Sequence, residues 1–262
     1  MNKRSMLVFG AAALSGAVAL AIIVKKRVVR GSGNVITQDR AVDSFNGICL
    51  AAIPGSICVE QAEQASIRVE ADDNLVDFIQ TSVADGMLFI KMDSGGKLPM
   101  PSQRVVVRIT GPHINHLRLD GKGKVEVKAI KADAFSIDIN GVGEIKAGPI
   151  TAQKVKVEFI GIGNCELSGT AVEQEVLVNG IGKFNGAALG TEKTRVEING
   201  IANVDVRVKD ELIVQLDGKG KVTYHGNPKV TSNVDLPGRV IQAPEPAEVV
   251  APPAAKVEMP VT

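Results

Sequence analysis

Two carboxylates, Asp138 and Glu158, are the residues of this chain whose types and spacing could perform hydrolytic chemistry. Each stands three positions before a glycine of a recurring phrase, so stacked phrases would place them on neighbouring layers. Paired carboxylates can act as acid and base on a glycan. The alternative is a solvated face with incidental acids. We prefer it because the chain has no tryptophan and one tyrosine, which leaves few rings to stack on a sugar.

Cysteine and histidine indicate no further site. An odd number of cysteines without a CxxC pair argues against a metal knuckle. Cys165 is expected to face the core as a small buried hydrophobe. Cys49 and Cys58 share one face of a predicted hairpin around Pro54-Gly55, so a disulfide between them stays open. All three histidines are expected to be solvated: His113, His116 and His225. We therefore assign no catalytic residue, cofactor or metal ligand, and no hydrolase or nucleotide-binding fingerprint occurs.

A glycine phrase that returns six times organises the chain. Its first glycines are Gly121, Gly141, Gly161, Gly180, Gly200 and Gly218. Steps of 18 to 20 residues between them are typical of a stacked repeat. Apolar residues alternate with polar ones between the phrases, which predicts strands with one buried face. Because glycine reaches positive φ without steric cost, the phrase is interpreted as the corner between strands.

These features predict an all-β fold, a right-handed β-helix or solenoid with rungs of about 20 residues. One rung cannot bury its apolar face alone, whereas a stack of rungs can. Six rungs at a strand spacing of about 4.8 Å would form a column roughly 29 Å long. Charges of alternating sign at Lys154, Glu173, Lys193 and Glu211 support this alignment, because neighbours on adjacent strands would attract.

The residue before the first glycine is Asp or Asn in five of the six phrases. These residues are Asp120, Asn140, Asn179, Asn199 and Asp217. We interpret them as a structural corner ladder, whose side chains hydrogen-bond along the stack. A column of ligands for a cation is the alternative. Ile160 interrupts the column, which favours the structural interpretation.

The residue after the first glycine also follows a pattern. It is a lysine in the two outer phrases, Lys122 and Lys219, and a branched apolar residue in the four inner ones. The inner residues are Val142, Ile162, Ile181 and Ile201. Either they point into the core at the corner, which we prefer, or they form an exposed apolar strip that binds a partner.

Several short motifs precede and accompany the repeats: Val29–Val35, Phe45–Ile48, Asp73–Val76, Gly86–Ile90 and the Asn-Gly-Ile or Asn-Gly-Val phrases. In their order and spacing they resemble the head GIN domain family of bacteria, a domain of unknown function also named an auto-transporter adhesin. The resemblance runs from about residue 29 to 240. It implies an all-β, β-helix-like domain of cell-envelope proteins, usually behind a signal or anchor, and it implies no catalytic residues.

Residues 1–30 are predicted to be a membrane segment. Met6 to Val24 carries no charge and is long enough to cross a bilayer as a helix. It is either a cleaved signal peptide or a retained anchor, and we prefer the anchor because basic residues follow soon after it. Those basic residues would keep the rest of the chain in the cytoplasm. The family resemblance favours export instead, and we follow it.

The remaining chain is predicted to be one domain, residues 31–240, followed by a tail. Residues 31–116 are expected to form the first rungs or a cap, with one or two helical turns near Asp72 to Ile79. Residues 117–225 hold the six repeats, and an irregular last rung follows Gly226. Residues 241–262 are rich in proline and alanine without periodicity, which predicts a disordered tail.

We therefore expect a non-enzymatic envelope β-helix with an adhesion-like, surface-binding or structural role. One alternative is a glycan-active hydrolase or lyase that uses Asp138 and Glu158, and another is a membrane-tethered scaffold that faces the cytoplasm. The expected partners are the membrane, through residues 6–24, and an envelope glycan or protein; self-association is left open. A net charge of +1 argues against a nucleic-acid partner.

Overall fold

The computed structural model describes residues 28–244, and in them it contains nineteen strands and one 3-10 turn. The strands that precede the repeats are β1 (Val28–Arg30), β2 (Val35–Arg40), β3 (Gly47–Ala51), β4 (Gly55–Gln61), β5 (Ser66–Asp72), β6 (Ile79–Ala84), β7 (Met87–Met92), β8 (Leu98–Met100) and β9 (Val105–Gly111). Those of the repeats are β10 (His116–Asp120), β11 (Lys122–Val127), β12 (Ile130–Ile139), β13 (Val142–Phe159), β14 (Ile162–Val178), β15 (Ile181–Ile198), β16 (Ile201–Leu216), β17 (Lys219–His225), β18 (Lys229–Val234) and β19 (Arg239–Gln242).

The repeats form a β-solenoid of about six turns, as the sequence predicts. Each strand from β12 to β16 pairs in parallel with the next, one rung further along the chain. The predicted column of alternating charges is confirmed, since Lys154 lies opposite Glu173 and Glu173 opposite Lys193. The ion pair of Lys154 runs diagonally, to Glu175, with 3.6 Å between Nζ and Oε2. The charges therefore support the register without pairing directly down the column.

The core of the solenoid consists of the alternating apolar positions of each rung. One column of buried residues runs through successive rungs: Ile137, Val157, Val176, Val196 and Val214. Burying a Val or Ile side chain fully contributes about 1.5–3 kcal/mol. Cys165 is buried in a neighbouring column, as expected. Each rung covers the apolar face of the rung before it, which is why the repeats must stack.

The strands before the repeats extend the same column and close its first end. β3 lies parallel between β7 and β10, and β4 lies parallel between β9 and β11. The hairpin predicted around Pro54-Gly55 is therefore wrong. Ala52 adopts a φ of 52° and donates its amide to the carbonyl of Asp120, so this stretch is a corner of the coil and not a hairpin turn.

The disulfide between Cys49 and Cys58, which the sequence left as an alternative, does not form, because all three cysteines are free. Its premise was a shared hairpin face, whereas β3 and β4 pair with different neighbours. Burial and the nearby Asp120 carboxylate raise the pKa of the Cys49 thiol to about 11. That thiol is consequently neutral at ordinary pH and unreactive.

Antiparallel strands occupy the remaining edges of β9 and β7, since β5 pairs with both β2 and β9, and β6 pairs with β7. The expected helical stretch is a single 3-10 turn, Val76–Phe78. At the other end β18 and β19 pair in parallel with β16 and β17, so the expected last rung forms. Within residues 28–244 no helix is long and apolar enough to span a membrane. The apolar segment 6–24 and the tail after residue 244 lie outside the described residues.

In five of the six phrases the reason for the first glycine differs from the one predicted. Only Gly121 of the six has a positive φ. At Gly141, Gly161, Gly180, Gly200 and Gly218 an added Cβ would lie 2.0–2.1 Å from the carbonyl oxygen of the first glycine one rung earlier. No real Cβ tolerates that distance. These glycines are needed because successive rungs approach each other closely at the corner, not because the backbone bends there.

Two glycines of one phrase separate these explanations. We expect Gly180→Ala to lower the free energy of unfolding by about 3 kcal/mol or more, because its Cβ would meet the Gly161 carbonyl oxygen at 2.1 Å. Gly182→Ala should cost less than about 1 kcal/mol, since its Cβ would meet side chains at 3.3 Å and alanine already stands in this column at Ala202. Urea unfolding followed by circular dichroism measures both. Equal losses in the two variants would contradict the close-approach explanation.

Candidate functional site

The corner of the solenoid places the residues after the first glycines in one column. Adjacent rungs pair Val142 with Ile162, Ile162 with Ile181 and Ile181 with Ile201. These four residues are called the apolar strip below. A lysine continues the column at each end: Lys122 pairs with Val142, and Lys219 with Ile201.

The side chains of the apolar strip are 48–52% exposed, so the preferred prediction that they point into the core is wrong. The reason is the alternation of the strand. The next position of each rung is the one that faces inward, as at Ala202, which is 2% exposed. Three steps of about 4.8 Å give the strip a length of roughly 14 Å. It is a contiguous apolar patch on the outside of the fold.

The backbone of the corner holds the strip in register. The amide of Ile162 donates to the carbonyl of Gly141, and the amide of Ile181 donates to that of Gly161. The distances between these nitrogen and oxygen atoms are 2.8 and 2.9 Å. The glycine carbonyl that excludes a Cβ thus also fixes the strip residue of the next rung. These backbone hydrogen bonds between rungs hold the strip residues in a fixed position.

A groove runs beside the strip, between it and the next outward column, with the backbone of the second glycines as its floor. The part near the first rungs has a volume of about 860 Å³ and is walled by the loops 52–55 and 101–104. A continuation of about 420 Å³ shares Ile162, Gly163 and Asn164 with it and extends to Lys219 and Gly220. Together they follow the whole length of the apolar strip.

Basic side chains line this groove, mainly at its ends. They are Arg104, Lys122, Lys124, Lys183 and Lys219. The acid in the lining is Glu144, whose Oε1 lies 3.1 Å from Nζ of Lys124. Such exposed pairs contribute at most about 1 kcal/mol. The groove therefore combines an apolar wall with an excess of positive charge.

The corner ladder forms in two separate pieces. Nδ2 of Asn140 donates to Oδ1 of Asp120 at 2.9 Å, and Nδ2 of Asn199 donates to Oδ1 of Asn179 at 3.0 Å. Ile160 separates the pieces. Burial acts to raise the pKa of Asp120, but hydrogen bonds from Arg118 and Asn140 outweigh it and lower that pKa below its usual value.

Asp217 stands in the ladder column but accepts a hydrogen bond from Gln215, two residues earlier in the chain, at 3.0 Å. The side chains of the column therefore make polar contacts within the protein. Within residues 28–244 no three acidic, histidine or cysteine side chains converge as a metal site would require. The alternative interpretation, a column of ligands for a cation, stays a prediction.

The structure brings the two candidate carboxylates together and gives each a cationic or imidazole neighbour. Asp138 lies directly opposite Glu158 on adjacent rungs. Oδ2 of Asp138 lies 2.8 Å from Nε2 of His116, and Oε2 of Glu158 lies 3.1 Å from Nζ of Lys156. Neither carboxylate lines the grooves beside the apolar strip.

The prediction of solvated histidines is wrong for His116 and His225. Both lie on strands and are partly buried, and both contact an aspartate one rung away. Nε2 of His225 lies 2.9 Å from Oδ1 of Asp205. The alignment of the rungs could have predicted these pairs. Asp138 lies opposite Arg118, two residues after His116, and Asp205 lies opposite Thr223, two residues before His225.

Sequence reasoning also missed a second groove, of about 1050 Å³, on another face. It is lined by the connection around Pro112 to His116 and by residues 131–136 of β12 and 151–154 of β13. Lys131, Lys154 and Lys156 contribute positive charge to it.

Comparisons with known proteins relate the chain to one family. The model of the family described as "Putative auto-transporter adhesin, head GIN domain" matches residues 44–228. No curated protein matches the chain. The crystal structure of a "putative adhesin" from Bacteroides fragilis is similar with a TM-score of 0.76 and 25% identity, over 82% of this chain and 100% of that one.

Two further crystal structures share the fold at 18% identity and cover 83% of this chain and 100% of their own. One is called a "putative lipid binding protein" from Parabacteroides distasonis, with a TM-score of 0.69. The other is called a "putative adhesin" from Parabacteroides merdae, with a TM-score of 0.60. At this identity they establish the architecture and nothing about ligands.

Two asparagines of one phrase test the corner ladder. We expect Asn199→Ala to lower the free energy of unfolding by about 1 kcal/mol, because it removes the hydrogen bonds to Asn179 and Glu197. Asn203→Ala, an exposed asparagine four residues on, should cost less than about 0.5 kcal/mol. Thermal and urea unfolding of both variants measure the difference. The ladder would have no structural value if the two losses were the same.

Proposed function

Because the chain belongs to the head GIN domain family, we propose that it is a non-enzymatic protein of the cell envelope that binds a partner through the apolar strip. The observation that carries this proposal is the exposure of four branched apolar side chains in register along one corner. The family description, which names an adhesin, supports the location and the binding role.

The apolar strip is an exception among the outward columns of the solenoid. Another outward column carries a charge on four successive rungs, at Lys154, Glu173, Lys193 and Glu211, and needs no partner to cover it. Folding itself gains little from leaving isoleucine half exposed, because apolar surface is stabilising only when it leaves water. An exposed apolar patch of this kind is typical of a binding surface. The lysines at both ends confine it to the four inner rungs.

The glycan-active alternative with Asp138 and Glu158 has less support. Adjacent rungs do place the two carboxylates opposite each other. Each is engaged by a neighbour, His116 or Lys156, and neither lines the grooves beside the strip. The scaffold alternative that faces the cytoplasm depends on residues 1–27, which lie outside the described chain. The names of the similar structures, adhesin and lipid binding protein, are consistent with a binding role.

A binding experiment on the full-length protein tests this function. Immobilised protein is incubated with labelled membrane and soluble fractions of the envelope and with a glycan array. We expect saturable binding that weakens at least about tenfold in Ile162→Gln/Ile181→Gln, because two half-exposed isoleucines each contribute on the order of 1 kcal/mol to a covered interface. Ile36→Gln is the matched control, an exposed isoleucine on β2 away from the strip.

The outcomes separate the candidate functions. Unchanged binding in the strip variant would contradict the proposal. Cleaved glycan that disappears in Asp138→Asn/Glu158→Gln would establish the enzyme instead. Under the proposal, this second variant binds as the wild type does and no glycan product forms.

A further inference from the structure

The backbone around the apolar strip restricts what can bind there. The amides of Ile162, Ile181 and Ile201 donate to glycine carbonyls of the preceding rungs at 2.8–2.9 Å. The backbone amides of the strip therefore already have hydrogen-bond partners. An extended peptide that binds by strand addition needs unpaired backbone groups at a sheet edge. The strip lies on the face of the sheet and not at its edge. A ligand that requires no backbone hydrogen bonds fits it better.

The dimensions of the strip also argue against a large partner surface. A stable interface between proteins buries on the order of 1,200–2,000 Å² in total. One column of four branched side chains, roughly 14 Å long, is narrow for that purpose. A single acyl chain is narrow as well, and the hydrocarbon of one bilayer leaflet is about 15 Å deep, half of the usual core. The strip therefore matches one extended acyl chain in both width and length.

The basic side chains of the groove favour a ligand whose head group is anionic. Lys122 and Lys219 extend the column of the strip at its two ends. The end at Lys122 also has Arg104 and Lys124 in its lining and is walled by the loops 52–55 and 101–104. Within residues 28–244 Lys124 is paired with an acid, Glu144, whereas Lys122 and Arg104 have no acidic partner. This end combines an excess of positive charge with the larger part of the groove.

From these features we infer that the groove binds a single-chain anionic amphiphile, a fatty carboxylate, with the acyl chain along the apolar strip and the carboxylate at Lys122 and Arg104. The inference rests on the proposed function and names the ligand class for the same site. The acyl chain covers apolar surface of Val142, Ile162, Ile181 and Ile201 that otherwise faces water. The carboxylate makes charge-assisted hydrogen bonds with the basic groups at the wider end.

The test uses the full-length protein with dodecanoate as the probe, in calorimetric titrations below its micellar concentration. We expect octanoate to bind at least about tenfold more weakly, since each methylene laid on the strip strengthens binding by about two- to fourfold. Dodecyltrimethylammonium, which has the same chain and the opposite charge, should bind more weakly than dodecanoate. Ile162→Gln/Ile181→Gln should weaken dodecanoate binding at least about tenfold, and Ile36→Gln should leave it unchanged.

Two lysines of the same column test the position of the head group. Lys122→Glu should weaken dodecanoate binding by about five- to tenfold, because the reversed charge faces the carboxylate. Lys219→Glu, at the far end of the strip, should change it less than about twofold. All variants keep residues 6–24, so any amphiphile bound by that apolar segment contributes equally to each measurement. A larger effect at Lys219 than at Lys122 would overturn the assigned orientation.

A photoreactive dodecanoate that carries a diazirine near the end of its chain locates the ligand directly. Mass spectrometry of the full-length protein should find the cross-links within residues 142–202 of the strip, and excess dodecanoate should abolish them. Cross-links confined to other parts of the chain would overturn the inference. If the strip variant loses envelope binding while dodecanoate does not bind the wild type, the ligand class is wrong and the proposed function stands. If neither binds at the strip, both are wrong.

Discussion

The close approach of successive rungs at the glycine corner is the constraint on which the rest of the structure depends. The carbonyl of one first glycine occupies the space that a Cβ of the next would need. The same carbonyl accepts the amide of the following strip residue. Both conditions recur down the column, so the corner can form only where glycine returns every 18 to 20 residues. The buried columns then align, since the register of paired strands is set by turn geometry together with the hydrophobic pattern.

That constraint also determines which residues face outward. With the second glycine position turned toward the core, the residue between the two glycines must point to solvent. The chain places lysine there in the outer phrases and Val or Ile in the inner four. The solenoid thereby presents a rigid apolar strip at no cost in backbone strain. A preorganised surface of this kind loses little conformational entropy when a ligand covers it.

Much of this fold could be predicted from the sequence, because a repeat supplies its own alignment. The 20-residue period predicts the stack of rungs, the buried columns and the column of alternating charges. Three of the failed predictions concern contacts that the period does not encode. The direction of Ile162 depends on which of two neighbouring positions faces inward. The role of Gly180 depends on a distance between rungs. The corner at Pro54-Gly55 resembles a hairpin turn locally, and only its parallel pairing partners distinguish the two.

We propose the apolar strip as the surface of the protein that binds a partner. Methyl NMR of the full-length protein with labelled isoleucine δ1 groups tests it most directly, because Ile162, Ile181 and Ile201 each report on one rung. On titration with envelope extract, the account predicts that the signals of these three shift together and saturate, while those of Ile36 and Ile241, two exposed isoleucines elsewhere, stay in place. Shifts at Ile36 or Ile241 with an unchanged strip would contradict it.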